Sequence, residues 1–213
     1  MNHIDGLEGL SGYLNDSAGV GRPRVLVIHE MWGFNQQMRG VVDRLAKAGF
    51  VAFGVDLYRG KVPTSPQEAQ ELVRTGDKAR WFAELRRAAM ALLPAKVGVV
   101  GFSMGGAFAL ATAAMVPEVS ACVSFYGVPR PEVDLTKVRA PVLGHYVPAD
   151  EYVPAQRLAE VEAELRRAPV PVTFHSYDAR HSFFNEQIRD VHSPENAQLA
   201  WERTIAFLNE TLA

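Results

Sequence analysis

The chain has a single cysteine among its 213 residues, Cys122, so it cannot form an internal disulfide. A protein that folds without disulfides fits a reducing compartment, and we expect it to be cytoplasmic. Cys122 lies in an apolar, strand-like run from Val119 to Phe125, which favours a buried thiol that packs rather than reacts. Residues 1–6 lack the basic and apolar segments of a secretory signal peptide.

An excess of charge of one sign is also absent. The chain has 22 lysines and arginines against 24 aspartates and glutamates, a net charge of −2. Acids and bases are interleaved, as in 157–160 and 164–167, and form no basic stripe. We therefore expect no nucleic-acid partner and no association with an anionic membrane.

One uncharged stretch, residues 97–117, is long enough to raise the question of a membrane span. Four glycines and a serine interrupt it, however, and divide it into a strand and a buried helix. These residues are Gly98, Gly101, Ser103, Gly105 and Gly106. The sequence thus gives no reason to expect a transmembrane segment.

Strand-like and helix-like segments alternate from residue 24 onward, and we expect one domain over residues 1–213. The predicted strands cover 10–14, 24–30, 50–55, 97–100, 120–126, 142–146 and 172–177. The predicted helices cover 36–48, 68–75, 77–93, 107–115, 154–168 and an amphipathic segment from Pro194 that carries Leu199 and Leu208. This order predicts an α/β fold with a mostly parallel sheet and helices on both faces.

The segment Gly101-Phe102-Ser103-Met104-Gly105 fits the G-x-S-x-G nucleophile elbow. In this motif a serine sits on a tight strand-to-helix turn, and glycines avoid collisions around it. The turn exposes the serine oxygen at the carboxyl end of the sheet. The backbone N–H of Met104, at a helix N-terminus, is placed to stabilise an oxyanion.

An acid and a histidine follow Ser103 in the order found in α/β-hydrolases, which is Ser, Asp, His. Asp150 comes after one predicted strand and His181 after the last one. Ligand chemistry in parallel sheets gathers at the carboxyl ends of the strands. A serine, an imidazole and a carboxylate are the groups that nucleophilic acyl transfer requires.

Three alternatives remain open for the acid and the base. His192 rivals His181, because it lies in a loop before the last helix. Glu151 and Asp178 rival Asp150, although Asp178, three residues before His181, better fits a cap or a surface charge.

These motifs together resemble the dienelactone hydrolase family, a single-domain branch of the α/β-hydrolases. The resemblance rests on an ordered set of segments: 29–33 (His-Glu-Met-Trp-Gly), 56–58, the elbow at Ser103, 125–127, Asp150 with Val153-Pro154, and 179–183 (Ala-Arg-His-Ser-Phe). It implies the α/β-hydrolase fold, with Ser103, Asp150 and His181 as the triad. It also implies an oxyanion hole from the N–H groups of Met31 and Met104, and an accessory Glu30.

The chain departs from the archetype of this family in two places. The archetype has a cysteine at the elbow, where the equivalent of Glu30 helps to activate the thiol. With Ser103 in that place, Glu30 is equally well explained as a strand-end carboxylate bound to nearby backbone N–H groups. Asn185 stands where the archetype has an arginine that grips an anionic substrate, and this favours a neutral substrate.

The leading hypothesis is therefore a serine hydrolase of carboxylic esters or lactones, which acts as a monomer without a metal or a cofactor. Its small-molecule substrate would lie in a pocket lined by Trp32, Tyr58, Tyr126, Phe184 and Asn185. Two alternatives stay open: an amidase or peptidase of the same fold, and a catalytically silent scaffold that binds a small molecule or a partner.

Overall fold

Within residues 7 and 9–213, which the computed structural model describes, strands and helices alternate along the chain. The strands are β1 (Gly12–Asn15), β2 (Arg24–Ile28), β3 (Val51–Val55), β4 (Val97–Phe102), β5 (Val119–Phe125), β6 (Val142–Tyr146) and β7 (Val172–Ser176). The helices are α1 (Gln36–Lys47), α2 (Pro66–Thr75), α3 (Lys78–Ala91), α4 (Met104–Met115), α5 (Ala155–Leu165) and α6 (Pro194–Leu212). The expectation for residues 1–6 concerns positions outside the described residues.

The seven strands form one sheet in the order β1-β3-β2-β4-β5-β6-β7. β1 pairs with β3 in the antiparallel direction, and every other pairing in the sheet is parallel. The carboxyl ends of β2, β4, β6 and β7 therefore share one edge. The prediction of an α/β fold with a mostly parallel sheet is confirmed.

Helices cover both faces of the sheet. Successive side chains of a strand point to opposite faces, so a strand with apolar residues throughout needs a helix on each side. In β2, Val25 and Val27 belong to the core cluster that includes buried residues of α1 and α6, whereas Leu26 and Ile28 belong to the cluster that includes those of α3, α4 and α5. Both faces of this central strand are buried, and its uninterrupted apolar sequence is what such a position requires.

Helix α4 begins at Met104, three residues earlier than predicted. Gly105 and Gly106 suggested a corner, but both lie inside the helix. They are needed there because a Cβ on Gly106 would lie 2.8 Å from the carbonyl oxygen of Phe125. Glycine here permits close packing of α4 against the sheet rather than ending the helix.

The structure differs from the sequence-based expectation in two further segments, the connection between β5 and β6 and helix α6. Between β5 and β6, where the sequence predicts neither a strand nor a helix, the chain forms a short 3₁₀ helix, Leu135–Lys137. In α6, Leu208 is buried as the amphipathic pattern predicts, but Leu199 is exposed and does not belong to the apolar face. Among the helices in the described part of the chain, none is long and apolar enough to cross a membrane.

Candidate active site

Ser103 lies on the turn that joins β4 to α4, in a backbone conformation with φ 51° and ψ −114°. This conformation is strained for a residue with a side chain. The neighbouring sequence permits it, because a Cβ on Gly101 or Gly105 would overlap backbone carbonyl groups. The Ser103 N–H donates to the carbonyl oxygen of Phe125 at 2.9 Å and ties the turn to β5. The side chain makes no cap to α4 and is free for another partner.

The hydroxyl of Ser103 is hydrogen-bonded to His181, which in turn bonds Asp150. Ser103 Oγ lies 2.8 Å from His181 Nε2. His181 Nδ1 lies 2.8 Å from Asp150 Oδ2 and 3.0 Å from Oδ1. The side chains of His181 and Asp150 are 7% and 2% exposed, so little water competes for these bonds. With Nδ1–H donating to the carboxylate, Nε2 is the acceptor for the serine proton.

Asp150 is fixed by the turn that follows β6. Its Oδ1 accepts the N–H groups of Tyr152 at 2.8 Å and Val153 at 3.0 Å. Glu151, the alternative acid, forms an ion pair with Arg180 instead.

The other two alternatives also lie elsewhere. Asp178 is exposed, and its backbone carbonyl accepts from Asn196. His192 lies beyond the turn at 188–191, where its N–H donates to the carbonyl of Ile188. The structure brings together Ser103, Asp150 and His181.

Two tyrosine rings flank the imidazole of His181. The ring centroid of the buried Tyr126 is 5.0 Å away, and that of Tyr152 is 4.7 Å away. Tyr152 is 60% exposed and covers the imidazole from the solvent side. The histidine is therefore held by packing as well as by its two hydrogen bonds.

The two residues expected to supply backbone donors for an oxyanion are Met104, which directly follows Ser103, and Met31, which lines the same cavity. Met104 is the first residue of α4, where N–H groups have no acceptor within the helix. Met31 follows β2 on a turn closed by the Gly33 N–H bonding the Glu30 carbonyl at 3.1 Å, and it lines the same cavity as Ser103.

Glu30 is a buried carboxyl group that lines the same cavity as Ser103 and His181. It accepts hydrogen bonds from the Asn185 amide and, at 3.4 Å, from the Ser182 hydroxyl. Burial raises its pKa to about 7, against the opposing effects of these two donors and of His181. The expectation that nearby backbone N–H groups bind this carboxylate needs correction, because its partners are side chains of the loop that carries His181.

A cavity of about 250 Å³ opens above Ser103 and His181. Of the predicted pocket residues, Trp32 lines it, but Tyr58, Tyr126, Phe184 and Asn185 do not. These four side chains are buried beneath the site, with 1–6% exposure. Asn185 is directed at Glu30, so the argument for a neutral substrate from position 185 does not hold.

Sequence reasoning missed most of the cavity wall. The additional lining residues are Pro66, Gln70, Glu151, Tyr152, Arg180, Ser182, Ile188 and Val191. Four of them, Glu151, Tyr152, Arg180 and Ser182, lie within two residues of Asp150 or His181 in the sequence, and this proximity is a usable signal. Pro66 and Gln70 belong to α2, and no motif pointed to them.

Two further predictions concern reactive groups. Burial raises the pKa of the Cys122 thiol to about 12, so it is an inert core residue, as predicted. In the part of the chain that the structure describes, no three His, Cys, Asp or Glu side chains are grouped to hold a metal ion.

A parallel sheet with helices on both faces, a serine on a strained elbow and a bonded histidine–aspartate pair define the α/β-hydrolase class. The model of the dienelactone hydrolase family matches residues 10–212. The chain therefore belongs to the dienelactone hydrolase family and is a hydrolase, and the resemblance seen in the sequence is confirmed.

Individual relatives are similar to the chain over most of its length. "Protein usf" of Aquifex pyrophilus is 33% identical and covers 90% of each chain. The Aquifex aeolicus protein named "Putative carboxymethylenebutenolidase" is 31% identical, over 94% of this chain and 93% of its own. Among solved structures, the dienelactone hydrolase-like promiscuous phosphotriesterase P91, from metagenomic libraries, is similar with a TM-score of 0.80 and 25% identity. That similarity covers 90% of this chain and 87% of P91.

Proposed function

We propose that this protein hydrolyses small carboxylic esters or lactones, with Ser103 as the nucleophile and an acyl-enzyme as the intermediate. The observation that carries the proposal is the unbroken hydrogen-bond chain from Ser103 Oγ through His181 to Asp150 at the base of the cavity. The names of two relatives refer to hydrolysis of a butenolide and of another lactone, and so support the reaction class; the carboxylate in the second name belongs to that relative's substrate.

In the first half of the reaction, Ser103 Oγ attacks the carbonyl carbon and its proton passes to His181 Nε2. Asp150 stabilises the imidazolium that forms. The backbone N–H groups of Met31 and Met104 bind the oxyanion of the tetrahedral intermediate. When this intermediate collapses, His181 gives the proton to the leaving alkoxide, which in a lactone stays attached to the acyl group.

In the second half, His181 accepts a proton from a water molecule that attacks the acyl carbon. Collapse of the second intermediate breaks the bond to Ser103, and the serine oxygen recovers its proton from His181. The products are an acid and an alcohol, or a single hydroxy acid from a lactone. The cavity volume of about 250 Å³ favours small substrates, because sites for drug-sized ligands usually start at roughly 300 Å³.

The proposal is tested by labelling with a fluorophosphonate probe, followed by mass spectrometry to locate the adduct. A panel of para-nitrophenyl esters of graded acyl length measures turnover alongside. We expect the adduct on Ser103 and a fall in kcat of roughly 10³-fold or more in Ser103→Ala. Ser120→Ala is the matched control, since Ser120 lies at the amino end of β5, whereas Ser103 follows the carboxyl end of the parallel strand β4, and its hydroxyl donates to the Glu118 carbonyl. Undiminished turnover by Ser103→Ala would refute the proposal.

A further inference from the structure

Two neighbouring side-chain pairs connect the turn after β6 to the loop after β7. Asp150 bonds His181, and the next pair outward is Glu151 with Arg180. Arg180 Nη2 lies 3.1 Å from one carboxylate oxygen of Glu151 and 3.4 Å from the other. The outer pair thus forms part of the rim of the cavity, one residue away from the catalytic machinery on each side.

Arg180 is the sole lysine or arginine among the described residues that line the cavity. Two acids, Glu30 and Glu151, line the same cavity, and Asp150 lies just beneath it. The rest of the wall is mainly apolar, with Trp32, Pro66, Tyr152, Ile188 and Val191. The one fixed positive charge that could receive an anionic substrate is therefore already bonded to a carboxylate of the same chain.

An anionic substrate meets a cost at this rim that a neutral one does not. Its carboxylate must lose water on entry and displace Glu151, which is tethered beside Arg180 and so has a high effective concentration. The carboxylate of Asp150 below also repels it. An uncharged acyl chain instead contacts the apolar wall and leaves the pair intact.

We propose that Glu151 is a specificity-determining residue, which by pairing with Arg180 makes the site select uncharged esters and lactones over anionic ones. This inference rests on the proposed function. The side chains of Arg180 and Glu151 are 58% and 44% exposed, so solvent weakens the pair. We accordingly expect a selectivity of about threefold to tenfold from this pair.

The test compares two esters with the same leaving group and the same chain length, para-nitrophenyl hexanoate and the para-nitrophenyl half-ester of adipic acid. The quantity measured is the ratio of kcat/KM for the neutral ester to that for the anionic one. In Glu151→Gln, Arg180 is released, and the ratio should fall by about threefold to tenfold. In the double variant Glu151→Gln/Arg180→Gln this fall should vanish, because the released cation is gone.

Glu160→Gln is the matched control. It removes another exposed acid that pairs with an arginine, Arg157, away from the cavity, and should leave the ratio unchanged. An unchanged ratio in Glu151→Gln would overturn the inference, as would a fall that persists in the double variant. In both cases, turnover abolished by Ser103→Ala would leave the proposed function standing. Turnover that survives Ser103→Ala would remove the proposed function and this inference with it.

Discussion

Glu30 illustrates how one buried side chain can couple the active site to stability. Its partners are Ser182, which directly follows His181, and Asn185, four residues after it. The carboxyl group therefore holds the loop that carries His181 against the end of β2. Because both partners are neutral, burial dominates and raises the pKa from 4.5 to about 7. Between these values the folded protein binds the proton more readily than the unfolded chain, and stability falls as pH rises.

Glu30→Gln is expected to remove this pH dependence. The glutamine carbonyl can still accept from Ser182 and Asn185 but does not titrate. At pH 8 the variant should be more stable than the wild type by about 2–3 kcal/mol, and the difference should shrink toward pH 5. Urea unfolding at pH 5, 6.5 and 8 measures this. Glu118→Gln, at an exposed position, is the control, and a similar gain there would contradict the explanation.

Tyr152 is a second residue whose effect can be isolated. Its N–H bonds Asp150, and its ring covers His181. Tyr152→Ala keeps the first contact and removes the second. We expect kcat/KM to fall about threefold to tenfold, since aromatic pairs contribute about 0.5–1.5 kcal/mol. Stability should change little, because the side chain is exposed.

Ester kinetics and thermal unfolding of Tyr152→Ala and Tyr152→Phe distinguish the possible causes. The phenylalanine variant retains the ring and should behave like the wild type. Equal losses in the two variants would show that the hydroxyl, rather than the ring packing, is what matters.

At the scale of elements, the junction of β4 and α4 depends on glycine at position 105. A Cβ there would overlap the carbonyl of Ile28 at the end of β2, and neither backbone can move independently of the sheet. Gly105→Ala should therefore destabilise the protein by about 2–4 kcal/mol and reduce activity at least tenfold through displacement of Ser103.

Gly40→Ala provides the matched comparison for this substitution. Gly40 also lies within a helix, α1, but a Cβ there meets no atom within 4 Å. This variant should be more stable by about 0.5–1 kcal/mol and fully active. Unfolding in urea and the ester assay compare the two, and equal destabilisation would show that helix geometry alone, rather than the contact with β2, is responsible.

The alternation of elements and the order of reactive residues were predictable because both depend on local sequence patterns. Apolar runs gave the strands, and Ser103, Asp150 and His181 each follow one. The start of α4 was misplaced because glycine in a helix and glycine in a turn look alike in sequence. Tyr58 and Phe184 were misassigned to the pocket because the direction in which a loop side chain points depends on packing between distant elements. Arg180 directly precedes His181, a predicted site residue. Its pairing with Glu151 could not be predicted, because it depends on β6 and β7 being neighbours in the sheet.

At the scale of the whole molecule, His145 connects the sheet to the last helix. It is buried on β6, with Nδ1 2.7 Å from the Tyr177 hydroxyl and Nε2 3.0 Å from the Thr204 hydroxyl of α6. Burial lowers the pKa of His145 well below its usual value, and the nearby His175 and Arg203 add to the effect. A charged imidazole would lack an acid partner in this network, so acid should weaken the attachment of α6.

The sign of this effect follows from proton binding. Below about pH 6.5 the unfolded chain protonates this histidine while the folded state does not, so stability falls by up to about 1.4 kcal/mol per pH unit. His145→Gln should make the decline between pH 6.5 and 5 shallower but not abolish it, because burial also lowers the pKa of His29. The titration of Glu30 raises stability as the pH falls and would mask this effect. The proteins to compare are therefore Glu30→Gln and the double variant Glu30→Gln/His145→Gln. Urea unfolding measures the slope in both, with His192→Gln as control. A slope that His145→Gln leaves unchanged would exclude His145 as the acid-sensitive link between β6 and α6.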